Sequence, residues 1–170
     1  MDIYEIVNEP EKQLEIFSDI IKKMNNIGDY EETLVNIISE IKNIMLTDTI
    51  LLYLIDQELF NLNYEMSIGP LGSKFFGSII DGEKPLSVRA YTTSSSLYSN
   101  NPQDDSAFIP IKEILGEDLK NILFVPLKAR KRNIGALFLI NKKDGKFIET
   151  DTIIMSMFSN IVSLALIIKL

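Results

Sequence analysis

The sequence predicts an α+β fold: one antiparallel sheet with long helices on one face and short helices and loops on the other. Three observations lead there. Helical periodicity fills residues 9–45 and returns at the C-terminal end, while β-branched and aliphatic runs occupy 47–56, 59–66 and 121–140. Between these runs, residues 67–83 hold four of the eight glycines, and short elements separated by polar turns follow. A sheet and an amphipathic helix each bury one face against another layer, and helices before and after the strands supply that layer. A length of 170 residues fits one domain with a sizeable core.

The elements follow in order. Leu14, Phe17, Ile20, Ile21, Met24 and Ile27 recur at three- and four-residue spacing with Glu and Lys between them, so residues 9–27 read as a first helix ended by Gly28. Asp29 caps a second helix, with Glu32 approximating a capping box and Leu34, Ile37, Ile38, Ile41, Ile44 and Met45 on its apolar side. Residues 47–56 are dense in β-branched and aliphatic side chains and read as a central strand. Gln57-Glu58 turns the chain into a second strand over 59–66, and a glycine-rich crossover follows. A short helix over 85–94, a short strand over 96–99, a turn-rich loop at 100–105 and a short helix over 111–115 lead to a hairpin. Its arms end at Pro126-Leu127 and run from Ile134 to Ile140, joined by a basic turn at 128–133. Asp151 opens the last helix. Its Ser156, Ser159, Asn160 and Ser163 fall on one face, so it reads as amphipathic and not as a membrane span.

Composition removes several chemistries. The chain has no cysteine and no histidine, so Cys–His and Ser-His-Asp catalysis lack a nucleophile or a base. A zinc site loses its usual ligands as well. No nucleotide-binding glycine motif follows a strand, and an enzyme is the least expected class. The net charge of −7 argues against nucleic acid as a partner, and the cluster Lys128, Arg130, Lys131 and Arg132 reads as a solvated turn. The acidic start has no secretory signal, which places the chain in the cytoplasm.

The series Asn141-Lys142, Phe147 and Asp151 resembles the Asn-Lys-Phe-Asp-Glu signature of cyclic-nucleotide-regulated GAF domains, with Thr152 in place of the last residue. The preceding hairpin is similar to the closing third of that fold. The resemblance covers roughly residues 29–166 and implies a sensor domain over 29–170, preceded by a dimerisation or connector helix over 1–28. It implies a small-molecule site under the short middle helices, with cAMP or cGMP as ligand and no other cofactor or metal.

On that resemblance, Tyr64-Glu65 corresponds to an aromatic-acid pair that stacks on a purine and contacts its edge. Leu86, Ser87 and Val88 correspond to the helix start whose N–H groups meet the cyclic phosphate, with Arg89 as a source of charge. Thr92 and Thr93 match family threonines, and Asp104, Asp105 and Phe108 form the rim. Phe138 stands at a pocket-facing position where some members carry an acid. The resemblance also implies that the helix over 150–170 continues into an output domain such as a diguanylate cyclase. The apolar surplus of the first and last helices predicts a homodimer built from them. The competing reading is a ligand-free GAF domain that serves dimerisation alone.

Overall fold

A computed structural model describes residues 3–25 and 29–169. The helices are α1 (Ile3–Asn8), α2 (Pro10–Asn25), α3 (Tyr30–Ile44), α4 (Pro85–Thr92), α5 (Ile109–Leu115) and α6 (Glu149–Lys169). The strands are β1 (Thr47–Ile55), β2 (Leu62–Ile68), β3 (Ile79–Ile80), β4 (Leu97–Ser99), β5 (Ile122–Ala129) and β6 (Arg132–Lys142). They form one antiparallel sheet in the order β3-β2-β1-β6-β5-β4. The expected α+β architecture is present.

Two apolar layers flank the sheet. On the proximal face, Ile50, Leu52, Leu123, Val125, Leu137 and Leu139 pack against α2, α3 and α6. On the distal face, Leu51, Tyr53, Phe124, Ala136, Phe138 and Ile140 lie under α4, α5 and the crossover. Alternation along residues 50–55 of β1 and 136–140 of β6 sends successive side chains to opposite layers. Both layers are dry, which explains the near-continuous apolar runs of the three central strands. Gly135 is required where β6 crosses β1, because a Cβ there would stand 2.3 Å from the Tyr53 carbonyl oxygen.

Several boundaries differ from the sequence expectation. The first helix is divided at Glu9, and Pro10 restarts it as α2. It also joins the core: Ile20 is buried, and Phe17 meets Phe158 edge-to-face at 6.1 Å. Ile27 and Gly28, expected to end that helix, lie outside the described residues. The second strand begins at Leu62, because Leu59 and Phe60 belong to the turn after β1, with Phe60 at φ +59. By length and composition, Glu149–Ile167 could cross a membrane, but 56% of that stretch is buried within the protein.

One buried ion pair fixes α6 to the sheet. Lys142 Nζ lies 2.8 Å from Asp151 Oδ1, and the two side chains are 2% and 0% exposed. Period two would leave Lys142 on the distal face with Ile140. The left-handed backbone at Asn141 (φ +59) turns it to the proximal face instead, and Asn tolerates that conformation better than most residues. The other Asp151 oxygen accepts from Ile148 N at 2.9 Å, so the carboxylate also closes the first turn of α6. The Lys142 ammonium sits over the rings of Tyr4 and Phe147 at 5.6 and 5.7 Å. Burial alone would lower its pKa, but the hydrogen bond and charge of Asp151, helped by Tyr4, give a net upward shift.

Removing one partner strands the other charge in the core, a loss on the order of 3–5 kcal/mol. Asp151→Ala should lower the urea midpoint accordingly. The double variant Lys142→Met/Asp151→Leu should recover most of that loss, since an apolar pair leaves no unpaired charge. Equal midpoints for Asp151→Ala and the double variant would show that the ion pair is not what fixes α6.

Candidate functional site

The distal face is the site that the sequence points to, and it is floored by aromatic rings. Tyr53 of β1 stands at its centre, edge-to-face with Tyr64 at 5.9 Å and with Phe138 at 5.5 Å. Phe138 in turn meets Phe124 at 5.6 Å. The margin is polar. The Tyr53 hydroxyl pairs with Ser78 Oγ at 2.6 Å, and the Tyr64 hydroxyl with Ser67 Oγ at 2.8 Å. The second contact depends on a bulge in β2, where Leu52 faces Met66 but Tyr53 faces Tyr64. The extra residue, Glu65, lets Tyr64 and Ser67 share a face that period two would deny them.

The structure brings five of the expected site residues to this face. Leu86, Phe108 and Phe138 are fully buried in the distal core, and Tyr64 packs at its edge against Phe76 at 5.7 Å. Ser87 is also buried, its hydroxyl donating to the Ile80 carbonyl at 3.1 Å. These side chains fill the space expected to hold a ligand. The reason is volume: several aromatic rings converge beneath α4 and α5, and interiors close to crystal-like density.

The others lie elsewhere. Glu65 points to the proximal side, where burial, then the Glu65 and Glu31 charges, push the Tyr30 hydroxyl pKa up. The expected pairing of Tyr64 and Glu65 around one ligand fails for this geometric reason. Val88 is exposed, and its N–H is spent on the Lys84 carbonyl. Arg89 is partly exposed, and its Nε is buried with no hydrogen-bond partner among the described residues. Thr92 donates back to the Val88 carbonyl at 2.6 Å, and Thr93 Oγ1 accepts from Ser95 N at 3.0 Å, so both finish α4. Asp104 accepts from Asn101 Nδ2, and Asp105 caps the turn at Ala107. Among the described residues no acidic cluster could hold a metal ion.

Sequence reasoning missed Tyr53 and Phe124, which form much of the floor, and Phe75 of the crossover, which packs in the same distal core. Tyr53 was readable as the lone polar-tipped ring in an aliphatic strand, on the parity of Leu51 and Ile55. Two surface cavities open away from the floor. One of about 550 Å³ lies beside Asn141, lined by Asp48, Leu71, Asp118, Lys120 and Lys143 among others. The second, about 380 Å³, lies at the turn of the β5–β6 hairpin.

A two-sided antiparallel sheet with long helices on one face and a short-helix cover over an aromatic floor on the other defines a small α+β domain. The chain belongs to the GAF domain family, whose profile matches residues 28–167. Solved structures share the fold. The GAF domain of a phosphoenolpyruvate-protein phosphotransferase from Coxiella burnetii superposes with a TM-score of 0.74 at 16% identity, covering 91% of this chain and 92% of that one. The free methionine-R-sulfoxide reductase of Neisseria meningitidis, solved with its substrate, gives 0.68 at 19% identity over 86% and 83%. The phycoerythrobilin-bound GAF domain of a cyanobacterial phytochrome gives 0.71 at 10% identity over 91% and 93%. At these identities the likeness is one of fold. No curated protein matches the sequence.

Burial raises the Tyr53 pKa from about 10 to about 12; the Ser78 hydrogen bond opposes the shift and Tyr64 adds to it. The raised value means that the unfolded chain loses this proton first. Stability from Tyr53 is therefore complete below about pH 10 and falls as pH rises toward 12. The loss is on the order of 2 kcal/mol. Lys142, also raised, loses its contribution in the same direction. Tyr53→Phe should flatten, without abolishing, the alkaline decline in thermal midpoint; an unchanged decline would contradict the burial of this hydroxyl.

Proposed function

We propose that this GAF domain is a regulatory, non-catalytic sensor that takes a small planar ligand on the distal face of its sheet and acts on a signalling output. The aromatic floor of Tyr53, Tyr64, Phe124 and Phe138 carries this reading, because stacked rings are the chemistry that holds a flat heterocycle. A cyclic nucleotide, cAMP before cGMP, is the ligand that the family signature in the sequence favours. GAF domains commonly sit beside output domains in signalling proteins, and a cytoplasmic cyclase such as a diguanylate cyclase fits the long α6. With Leu86 and Phe108 seated on the floor, a ligand must bind a state in which α4 and α5 are lifted. Its affinity is reduced by the rarity of that state.

The packed distal face favours a second reading, a ligand-free GAF domain that works through dimerisation. Both readings use a homodimer. Leu14 and Ile21 on α2 are 68% and 48% exposed, and Ile153 and Leu164 on α6 are 46% and 58% exposed. A two-fold pairing of these helices covers them.

Thermal denaturation with cAMP and with cGMP separates the readings. A sensor gains about 2.7 kcal/mol at a hundred times Kd. Tyr64→Ala should then weaken binding by about 1–3 kcal/mol through lost stacking. Glu65→Ala, on the other face, should leave affinity unchanged. Absence of any shift, together with a dimeric mass by light scattering that Leu164→Glu reduces to a monomer, selects the second reading. A monomeric mass throughout removes the dimer from both.

A further inference from the structure

The basic hairpin turn does not stand alone in the folded chain. Lys128, Lys131 and Arg132 line one wall of the cavity of about 380 Å³, and Phe60 and Tyr91 line another. The two rings are 4.8 Å apart at a 44° tilt, and Phe60 is 44% exposed. The cavity falls in the size range of small-molecule sites.

Two lining residues of this cleft, Phe60 and Lys131, are held at a conformational cost. Arg130 and Lys131 form the two-residue loop between β5 and β6, with φ of +50 and +66. That is the hairpin geometry normally given to Asn-Gly, and long side chains adopt it unfavourably. Phe60 also sits at positive φ, where a bulky aromatic residue is a genuine outlier. Its backbone is pinned from behind: Gly82 N donates to Asn61 Oδ1 at 2.7 Å, and a Cβ on Gly82 would stand 2.3 Å from the Leu59 carbonyl oxygen. Strain kept by its surroundings points to a site.

The charges are also available. The chain carries a net charge of −7, yet four of its seventeen cations fall within residues 128–132. Among the described residues, none of the four forms an ion pair; Lys128 Nζ contacts only Ser94 Oγ, at 3.1 Å. Two carbonyls at the end of α4, which would repel an anion, are occupied. Asn133 Nδ2 donates to those of Ala90 and Thr93 at 2.8 Å each.

We propose that this cleft binds a small planar anion, an aromatic ring bearing one or two phosphates, in the manner of a nucleoside mono- or diphosphate. The ring stacks on Phe60 and Tyr91, and the phosphates meet Lys128, Lys131 and Arg132. A phosphate monoester carries about −1.5 to −2 at pH 7, so three cations match one or two phosphates. The site lies at the hairpin end of the sheet, outside the distal floor, and shares α4 with its cover through Tyr91.

The test is a titration of the isotopically labelled full chain with ADP, followed by amide chemical shifts, with adenosine and pyrophosphate as separate halves. The expected result is a saturable perturbation of Phe60, Tyr91, Lys131 and Asn133, weakened at about 0.5 M salt. ADP should bind more tightly than either half. Lys131→Glu/Arg132→Glu, both fully surface changes, should reduce ADP affinity at least about tenfold, since each turns an attraction into a repulsion. Phe60→Asn, which keeps the left-handed backbone, should weaken ADP but not pyrophosphate. Unchanged thermal midpoints establish that the variants fold. Perturbation at Tyr64 and Phe138 instead, no saturation at millimolar ADP, or ADP binding indifferent to both variants would each overturn the proposal. The first of these outcomes would leave the distal-face sensor standing, and saturation at the cleft would leave it untouched.

Discussion

The Lys142–Asp151 pair is the contact on which the geometry of this chain turns. Two ions with almost no exposure are tolerable only because each is satisfied several times. Lys142 has Asp151 and two ring faces, and Asp151 has Lys142 and the Ile148 amide. The pair converts a strand end and a helix start, separated by the loop of residues 143–148, into a rigid corner. Asn141 makes the corner by its left-handed backbone. Its side chain then binds the amides of Lys120 and Asn121 and the carbonyl of Asp118, tying in the entry to β5. Asn121 answers by accepting from Lys142 N and donating to Gly145 O, and Asn100 brackets both backbone groups of Phe147. Polar side chains whose donors and acceptors each have a specific partner favour one arrangement where apolar packing would allow several.

That corner sets the direction of α6, and α6 sets the proximal layer. Met155, Phe158, Val162 and Leu166 face the sheet, while Ile153, Ser156, Asn160 and Leu164 face outward. Phe158 receives Phe17, so the N-terminal helices dock on a surface that the ion pair has already positioned. Tyr4 of α1 then covers the pair itself. The first and last helices are thus one unit, even though the family profile begins only at residue 28.

The family signature was legible because polar residues at a fold's corners have few substitutes. Asn141, Lys142, Phe147 and Asp151 each perform a job that depends on side-chain chemistry. The strands were legible wherever both faces are buried, since continuous apolar runs leave little ambiguity. What failed depended on single-residue irregularities. The bulge at Glu65 reversed the expected facing of an acid, and the left-handed Phe60 ended a turn where apolar content suggested a strand. The ligand pocket was expected where side chains instead close the space. Sequence periodicity carries no measure of how far rings interdigitate, so Leu86, Phe108 and Phe138 could be placed on the correct face but not recognised as its filling.

β6 belongs to both layers, and this determines what any event on one face can do to the other. Phe138 lies on the aromatic floor, and its neighbours Leu137 and Leu139 lie against the proximal helices. A strand paired on both sides by long ladders with β1 and β5 cannot flex residue by residue. On the proposed sensor reading, a ligand that displaced Phe138 would move the strand as a body, and Lys142 at its end with it. Because Lys142 is paired with Asp151, that motion would reach the first turn of α6 directly. Closely packed layers respond to such a push by shifting between discrete arrangements, not by yielding gradually. In this way the same buried pair that stabilises the fold is also a stiff contact between the end of β6 and the first turn of α6.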